Sequence, residues 1–540
     1  MTLQLCDTNS TVNISKETMA DLDIFDLCRS FFLSQALEDN EIEIFIKTYL
    51  SADISEIQRR SEIIGGLSKN PESKSLIASI IAECKRMSHN ISAISRSPRP
   101  LMACTGTLHA LKAYISSINY LEKLFIYGST PAINEIAEFI RKEKESAFYA
   151  QVQNSLQYAD NLIKPLDSVT LAVNMSEAGQ AAQIAVTDIN GHMEKLTGIF
   201  GGVRDNINSL CDAAPIKQRG QLAYLEDYII AQVEKQWSPQ LNAALRAFKK
   251  ISIEKLHGWH NWLMHIKLYH KGLLLLDKLN PLGCAGCRPE PCIDGFINAE
   301  GMLYPHMVLS ELLPIPQTFK FSTGDAVIIT GANNSGKTSV LKAFAQNCIL
   351  AQLGFWIPAK FFKFSPFKQW SSVFSAGEDD EIRASRYQQE AERMSMAVET
   401  ADNRTCLLFN EPFTSTNPAE AAPLLCEITA SLYQKGVTLI FVTHIYDVYK
   451  LLRQEGIVRM RSYVTAVGPS GGKNYGRVGW EERAEHCDRL QYKLEEKEPD
   501  GLSYAKSVAK EQDFCLESLI GDPDEVSALE EFIAGGGHIA

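Results

Sequence analysis

Eight residues constrain this chain more than any other stretch. Gly331, Ala332, Asn333, Asn334, Ser335, Gly336, Lys337 and Thr338 spell G-x-x-x-x-G-K-[ST]. The context is that of a phosphate-binding turn: Ala326–Thr330 is a short β-branched run expected to form a buried strand. Apolar residues at Val340, Leu341, Phe344, Cys348 and Ile349 then follow with the period of a helix face. A strand, a glycine turn and a helix start aim backbone N–H groups and the positive end of the helix dipole at an anion. The expected ligand is ATP or GTP. Gly331 and Gly336 lack Cβ, so the backbone can take positive φ close to phosphate oxygens. Lys337 would bring its charge to the β- and γ-phosphates, and the Thr338 hydroxyl would be a ligand for Mg²⁺.

Two further strands are expected to complete the site. Residues 405–409 (TCLLF) read as a buried strand delivering Asn410 and Glu411 at its C-terminal end, where ligands of parallel sheets sit. Glu411 is the candidate general base for an attacking water. Residues 437–442 (VTLIFV) form another apolar run, followed by Thr443 and His444. His444 is expected to sense the γ-phosphate; the alternative is a histidine that caps a strand end.

At 540 residues the chain exceeds one ordinary core and suggests two to four domains. Its 53 Lys+Arg against 65 Asp+Glu leave a net charge of −12. That balance argues against coating nucleic acid through bulk charge and leaves a local basic channel open. The opening MTLQLCDTNSTVNISKE has neither the basic nor the apolar region of a signal peptide. The densest apolar run, 273–276, is too short to span a bilayer, so no membrane association is expected. Thirteen scattered cysteines, an odd number, fit a reducing, cytoplasmic setting.

From Met1 to about Asn280 the pattern is almost wholly helical. Ser15 opens one apolar-periodic run that continues to Leu33, and further runs span 55–67, 73–87, 107–124 and 132–158. Only 168–173 and 181–190 alternate as strands, a small sheet within the helical region. Two long helices are expected next. The first carries Leu222, Leu225, Ile229 and Val233. Ser238-Pro239 reads as the N-cap and first position of the second, which is expected to run on through 259–268 with a kink near Gly258.

Three other features invite chemistry. Cys284, Cys287 and Cys292 lie in a Gly/Pro-rich connector; a structural zinc needs a fourth ligand, with His270 or His306 as candidates, and free thiols are the simpler reading. His257, His260, His265 and His270 lack the H-E-x-x-H pattern, so solvated or core-satisfied histidines are the simpler reading. Lys360, Lys363 and Lys368 interleave with Phe361, Phe362, Phe364, Phe367 and Trp370, which suits either base stacking or a strand beside the nucleotide.

The segments GANNSGKT with LAQLGFWIPA, NEPFTSTNPAEAAPL and FVTHIYDVYKL together resemble the ATPase domain of the MutS family. NEPFTSTNPAEAA is most similar to the branch that lacks the mismatch-reading domain. Phe374 to Glu390 resembles the family's signature loop, with Ser385, Tyr387 and Glu390 at the shared spacing, and Arg489 to Lys510 resembles the piece after the sensor strand. The resemblance implies a multidomain protein: a mainly α-helical core and lever region with a small sheet over 1–296, an α/β P-loop NTPase domain of ABC type over 297–515, and an acidic tail over 516–540. It implies that Gly331, Asn333, Asn334, Ser335, Gly336, Lys337 and Thr338 hold ATP and Mg²⁺, and that Ser385 reaches a partner subunit's nucleotide in a homodimer. It also implies that Glu411 and His444 act in hydrolysis and that the helical region clamps duplex or branched DNA.

Two departures matter. Asn410 stands where the family has Asp, so an amide faces the water around the metal and brings no charge; hydrolysis is expected to be slow or to differ in metal preference, and Asn410→Asp to speed it. No mismatch-reading segment is found before the helical region, so mismatch reading is not expected. A nucleotide-gated protein-interaction switch with slow or no hydrolysis is the alternative reading.

Overall fold

The computed structural model describes residues 5–6, 12–32, 38–96, 99–126, 130–163, 169–175, 181–189, 214–215, 222–280, 286–312, 314–331, 335–374, 383–413, 418–457, 459–465 and 493–499. Asn333, Asn334, Cys284 and the tail 516–540 lie outside them. The chain opens with β1 (Asn13–Ile14), α1 (Lys16–Asp21), α2 (Ile24–Phe32), α3 (Asp39–Tyr49) and α4 (Ile54–Leu67). Then come α5 (Ser73–Arg96), α6 (Pro100–Phe125), α7 (Pro131–Lys144), α8 (Ala147–Ile163), β2 (Val169–Met175), β3 (Ala181–Ile189) and β4 (Ala214–Pro215). Three helices follow, α9 (Leu222–Phe248), α10 (Ile253–Met264) and α11 (Ile266–Leu279). The remainder is α/β: β5 (Glu290–Pro291), β6 (Phe296–Met302), α12 (Pro305–Leu309), β7 (Gln317–Ser322), β8 (Ala326–Thr330), α13 (Lys337–Gln352), β9 (Phe361–Phe364) and β10 (Gln369–Phe374). It continues with α14 (Arg383–Thr400), β11 (Thr405–Asn410), α15 (Pro418–Gln434), β12 (Thr438–Val442), α16 (Tyr446–Gln454), β13 (Met460–Thr465) and β14 (Leu494–Glu496).

The chain divides into two compact units, Met1–Leu5 with Gly66–His270, and Cys6–Gly65 with Lys271–Ala540. In the second, a seven-stranded sheet runs in the order β1-β10-β11-β12-β8-β13-β14, parallel throughout except for the antiparallel β13–β14 pair. Apart from the half-buried Asn410 that ends β11, β8, β11 and β12 are apolar or capped by buried threonines, as strands covered on both faces must be. A four-stranded sheet, β5-β9-β6-β7, accompanies it. Helix α13 is buried on nearly all sides, so its polar side chains need partners. Their donors have them: Gln346 Nε2 donates to Leu22 O (2.8 Å), Asn347 Nδ2 to Leu303 O (2.8 Å), and Gln352 Nε2 to Ser51 O (2.9 Å) and Phe367 O (2.7 Å).

Residues 6–65 therefore pack with the α/β region. Asn13 N donates to Lys368 O at 2.8 Å, and β1 extends the edge of the large sheet beside β10. A two-residue strand has too short an alternation to be read from sequence, and the N-terminal stretch is not wholly helical outside 168–190 as expected. The run from Ser15 also breaks, at Asp23 with φ 54°.

The first unit is built of helices. Trp259 on α10 donates from Nε1 to Ser117 Oγ on α6 (2.9 Å) and packs against Tyr114, Phe139 and Trp262. β2, β3 and β4 form its antiparallel sheet, as the alternation at 168–190 predicts. Three helix boundaries differ from expectation. Residues 132–158 form two helices, because Ser146 Oγ accepts from Tyr149 N (3.1 Å) and starts a new one. Ser238-Pro239 starts nothing: α9 is continuous through Pro239, and Ser238 Oγ accepts from Asn242 Nδ2 (3.1 Å) instead of capping. A proline there forfeits one backbone bond, and the long helices on either side tolerate that loss. The helix then ends at Phe248. Ser252 caps α10 by accepting from Lys255 N (3.3 Å), and the next break falls at His265, with Gly258 inside α10.

Candidate nucleotide-binding site

All four parallel strands at the centre of the large sheet deliver residues to one edge. Register aligns Asn410 with Val442, Val442 with Ile329, and Thr330 with Val464, so β11, β12, β8 and β13 end side by side. Gly331 leaves β8 with φ 144°. A Cβ at Gly331 would stand 2.0 Å from Thr465 Oγ1, so only glycine fits. Gly336 (φ 84°) is the N-cap of α13 with no side-chain cap, and Val340 N donates to its carbonyl at 3.0 Å. The first turn of α13 thus presents backbone donors with no capping side chain in the way.

Lys337 is only 4 % exposed. Its Nζ donates to Gly331 O (3.0 Å) and stands 3.6 Å from Glu411 Oε1. Burial pulls its pKa below the ordinary lysine value, and the Glu411 carboxylate opposes that shift. Thr338 Oγ1 donates to Asn410 Oδ1 at 2.7 Å. Glu411 sits in a left-handed turn (φ 51°), with its N–H donating to Val442 O at 2.9 Å. His444 follows β12 at the same edge and is exposed. The structure therefore brings together Gly331, Ser335, Gly336, Lys337, Thr338, Asn410 and Glu411. Asn333 and Asn334 lie outside the described residues. Ser385 is in the first turn of α14, and its side chain is not among those described.

The residues fit a nucleotide and a hard divalent cation. The Gly331 turn has no room for a side chain, α13 begins with unblocked donors, and Thr338 and Asn410 offer two neutral oxygens side by side. Those oxygens, with Lys337 and the backbone of the turn, would hold the phosphates and Mg²⁺; the metal would supply charge to the phosphate oxygens.

Sequence reasoning missed several contributors. Thr465, at the end of β13, meets Ser335 Oγ at 2.5 Å and underpins the turn. Glu390, noted only for its spacing, accepts from Phe413 N at 2.7 Å. Asp21, Ser372 and Arg393 join around one carboxylate oxygen, a junction over 350 residues of chain that no local pattern signals. The interleaved aromatics are settled by burial: Phe362, Phe364, Phe367 and Trp370 are core residues, and Lys363 pairs with Asp294 (2.7 Å), so the stretch is β9 and its neighbours and not a stacking platform. Cys287 and Cys292 are held by backbone bonds to Ile357 and Phe364. Among the described residues no cluster of His, Cys, Asp or Glu is arranged to hold a metal ion, and no helix is long and apolar enough to cross a membrane.

Residues 327–478 match the family model of MutS domain V. The chain is 30 % identical over 171 residues to Endonuclease MutS2 of Caldicellulosiruptor saccharolyticus, covering 31 % of this chain and 21 % of that protein. It is 33 % identical over 125 residues to DNA-binding protein MutS2 of Pyrococcus furiosus (22 % and 21 %) and 32 % over 133 residues to MutS protein homolog 4 of Homo sapiens (24 % and 14 %). The matched stretch spans about a fifth or less of the length of these curated relatives. The glycine turn, the strand ends and the domain V match all fall on one sheet, so residues 327–478 belong to the MutS domain V family.

Proposed function

We propose that this protein is an ATP-hydrolysing, DNA-binding member of the MutS family, with 297–515 as an ABC-type P-loop ATPase domain. The observation that carries this reading is the convergence of Lys337, Thr338, Asn410 and Glu411 at one sheet edge beside the Gly331 turn. The backbone of the turn and Lys337 hold the phosphates of ATP. Glu411 accepts the proton of the attacking water, and His444, exposed at the end of β12, meets the γ-phosphate. Ser385 completes a second subunit's site in a homodimer. The helical region 1–296 clamps duplex or branched DNA, in keeping with the name of the Pyrococcus furiosus relative, DNA-binding protein MutS2.

One observation favours a second reading. The oxygen facing Thr338 belongs to the Asn410 amide and not to a carboxylate, which suits a nucleotide-gated switch that turns over slowly. ATP turnover of the pure protein with no DNA, homoduplex and branched DNA separates the two. The first reading expects stimulation by DNA and loss of turnover of at least about a hundredfold in Lys337→Ala. Turnover indifferent to every DNA, with no salt-dependent DNA binding, would sink it.

A further inference from the structure

The turn after β11 has the least ordinary backbone in the site. Glu411 (φ 51°) and Phe413 (φ 61°) are both left-handed, two non-glycine residues in three positions. Side chains crowd the backbone there, and such a conformation persists only where its surroundings dictate it. Three contacts do so. Glu411 N donates to Val442 O (2.9 Å), the Phe413 ring is buried to 2 % exposure, and Phe413 N donates to Glu390 Oε1 (2.7 Å). Of these, the bond to Glu390 is the directional one that ties the turn to α14, whose Met394 and Ala397 share the core cluster of the Phe413 ring.

One turn further along α14, Arg393 Nη2 donates to Asp21 Oδ2 at 2.6 Å, and the same oxygen accepts from Ser372 Oγ at 2.6 Å. Arg393 also reaches the carbonyls of Ser372 (3.4 Å) and Phe374 (3.5 Å) on β10. Asp21 ends α1. Two residues on, Asp23 turns left-handed (φ 54°), and its Oδ2 accepts from Lys342 Nζ (2.8 Å) and Tyr304 OH (2.9 Å). Lys342 belongs to α13, the helix that starts at Lys337. The short segment 21–23 thus grips two helices at the candidate site: α13 on the side of Lys337, and α14 on the side of Glu411.

We propose that Glu390 and Asp21 are positioning residues for ATP hydrolysis: Glu390 fixes the turn that carries Glu411, and Asp21, through Arg393, fixes the helix that carries Glu390. The N-terminal segment is then a regulatory input to the site, since any force on α1 reaches Glu411 through α14. The chain of bonds is short and each member is directional, so a shift of α14 moves the Phe413 acceptor with it. This inference rests on the ATPase reading above.

The test uses the full-length protein, with steady-state ATP turnover and equilibrium binding of a fluorescent ATP analogue measured side by side. Glu390→Met keeps the length of the side chain and removes the acceptor; it is expected to lower kcat about tenfold, the worth of one well-made hydrogen bond, with KM and analogue Kd within about twofold. Glu390→Gln, whose amide oxygen still accepts from Phe413 N, is expected to keep at least about half of wild-type kcat. Asp21→Ala is expected to lower kcat about threefold. An unchanged kcat in Glu390→Met, a Gln variant as slow as Met, or Asp21→Ala at the wild-type rate overturns the inference. Should Glu390→Met fail to fold, as judged by circular dichroism, the Gln and Asp21→Ala variants decide alone. A wild type that binds no analogue and turns over no ATP overturns the ATPase reading instead, so the two failures are told apart.

Discussion

The two units of this chain use hydrophobic burial to different ends. In the α/β unit, β8, β11 and β12 are buried along their length and release polar groups only at their last residue or just beyond: Thr330 and Gly331, Asn410 and Glu411, Thr443 and His444. Parallel register then places these strand ends side by side, so an apolar core produces a polar edge. In the helical unit polar and apolar residues alternate with helical period, and the aromatic cluster of Tyr114, Phe139, Trp259 and Trp262 is packing, with Trp259 donating to Ser117 and Tyr114 to Glu143. The lesson is that the sheet concentrates chemistry at a line, whereas the helices spread their polar groups along a surface.

Three experiments press on that contrast. The largest effect is expected from Gly331→Ala. The added methyl would collide with Thr465 Oγ1 in a left-handed backbone, so binding of the ATP analogue is expected to weaken by at least about a hundredfold, as read by fluorescence titration. Affinity within about threefold of wild type would mean that the turn is not a tight cradle. Trp259→Ala comes next. Removing a buried indole from a packed aromatic cluster costs about 3–5 kcal/mol, expected as an earlier urea unfolding transition, with analogue affinity kept within about twofold. Loss of nucleotide binding in that variant would break the division of labour between the units.

The smallest effect concerns pH. Burial raises the Glu390 carboxyl above its ordinary pKa, with the Phe413 N–H and Arg393 pulling the other way. A raised acid favours the fold while protonated, and that contribution is lost as pH rises through the folded-state pKa. Glu390→Gln should therefore melt at a slightly higher temperature than wild type near pH 7, with the gap closing on acidification below the ordinary glutamate pKa. A gap that widens toward acid would show that the ionised carboxylate stabilises the fold.

Much of the site could be read in one dimension because its motifs are local. The glycine turn needs consecutive residues, and a buried strand that ends in Asn410-Glu411 or Thr443-His444 is an apolar run with polar residues at its end. Helices of the first unit were equally plain from their period, but their ends were not. Ser146 and Ser252 cap helices inside runs that read as continuous, while Pro239, the stronger local signal, interrupts nothing. Capping is decided by a single side-chain bond of a few tenths to about 2 kcal/mol, and packing along the rest of a long helix outweighs it.

The sequence by itself determined the glycine turn, the apolar strands that flank it and the amide at Asn410, because each is a property of neighbouring residues. Only the tertiary structure decided that residues 6–65 join the α/β unit, that Thr465 underlies the Gly331 turn, and that Asp21, Arg393 and Glu390 lead to the Glu411 turn. The physical reason is range. Backbone conformation and burial period are set within a few residues, whereas a hydrogen bond between side chains 372 positions apart exists only once the whole sheet has brought its edges together.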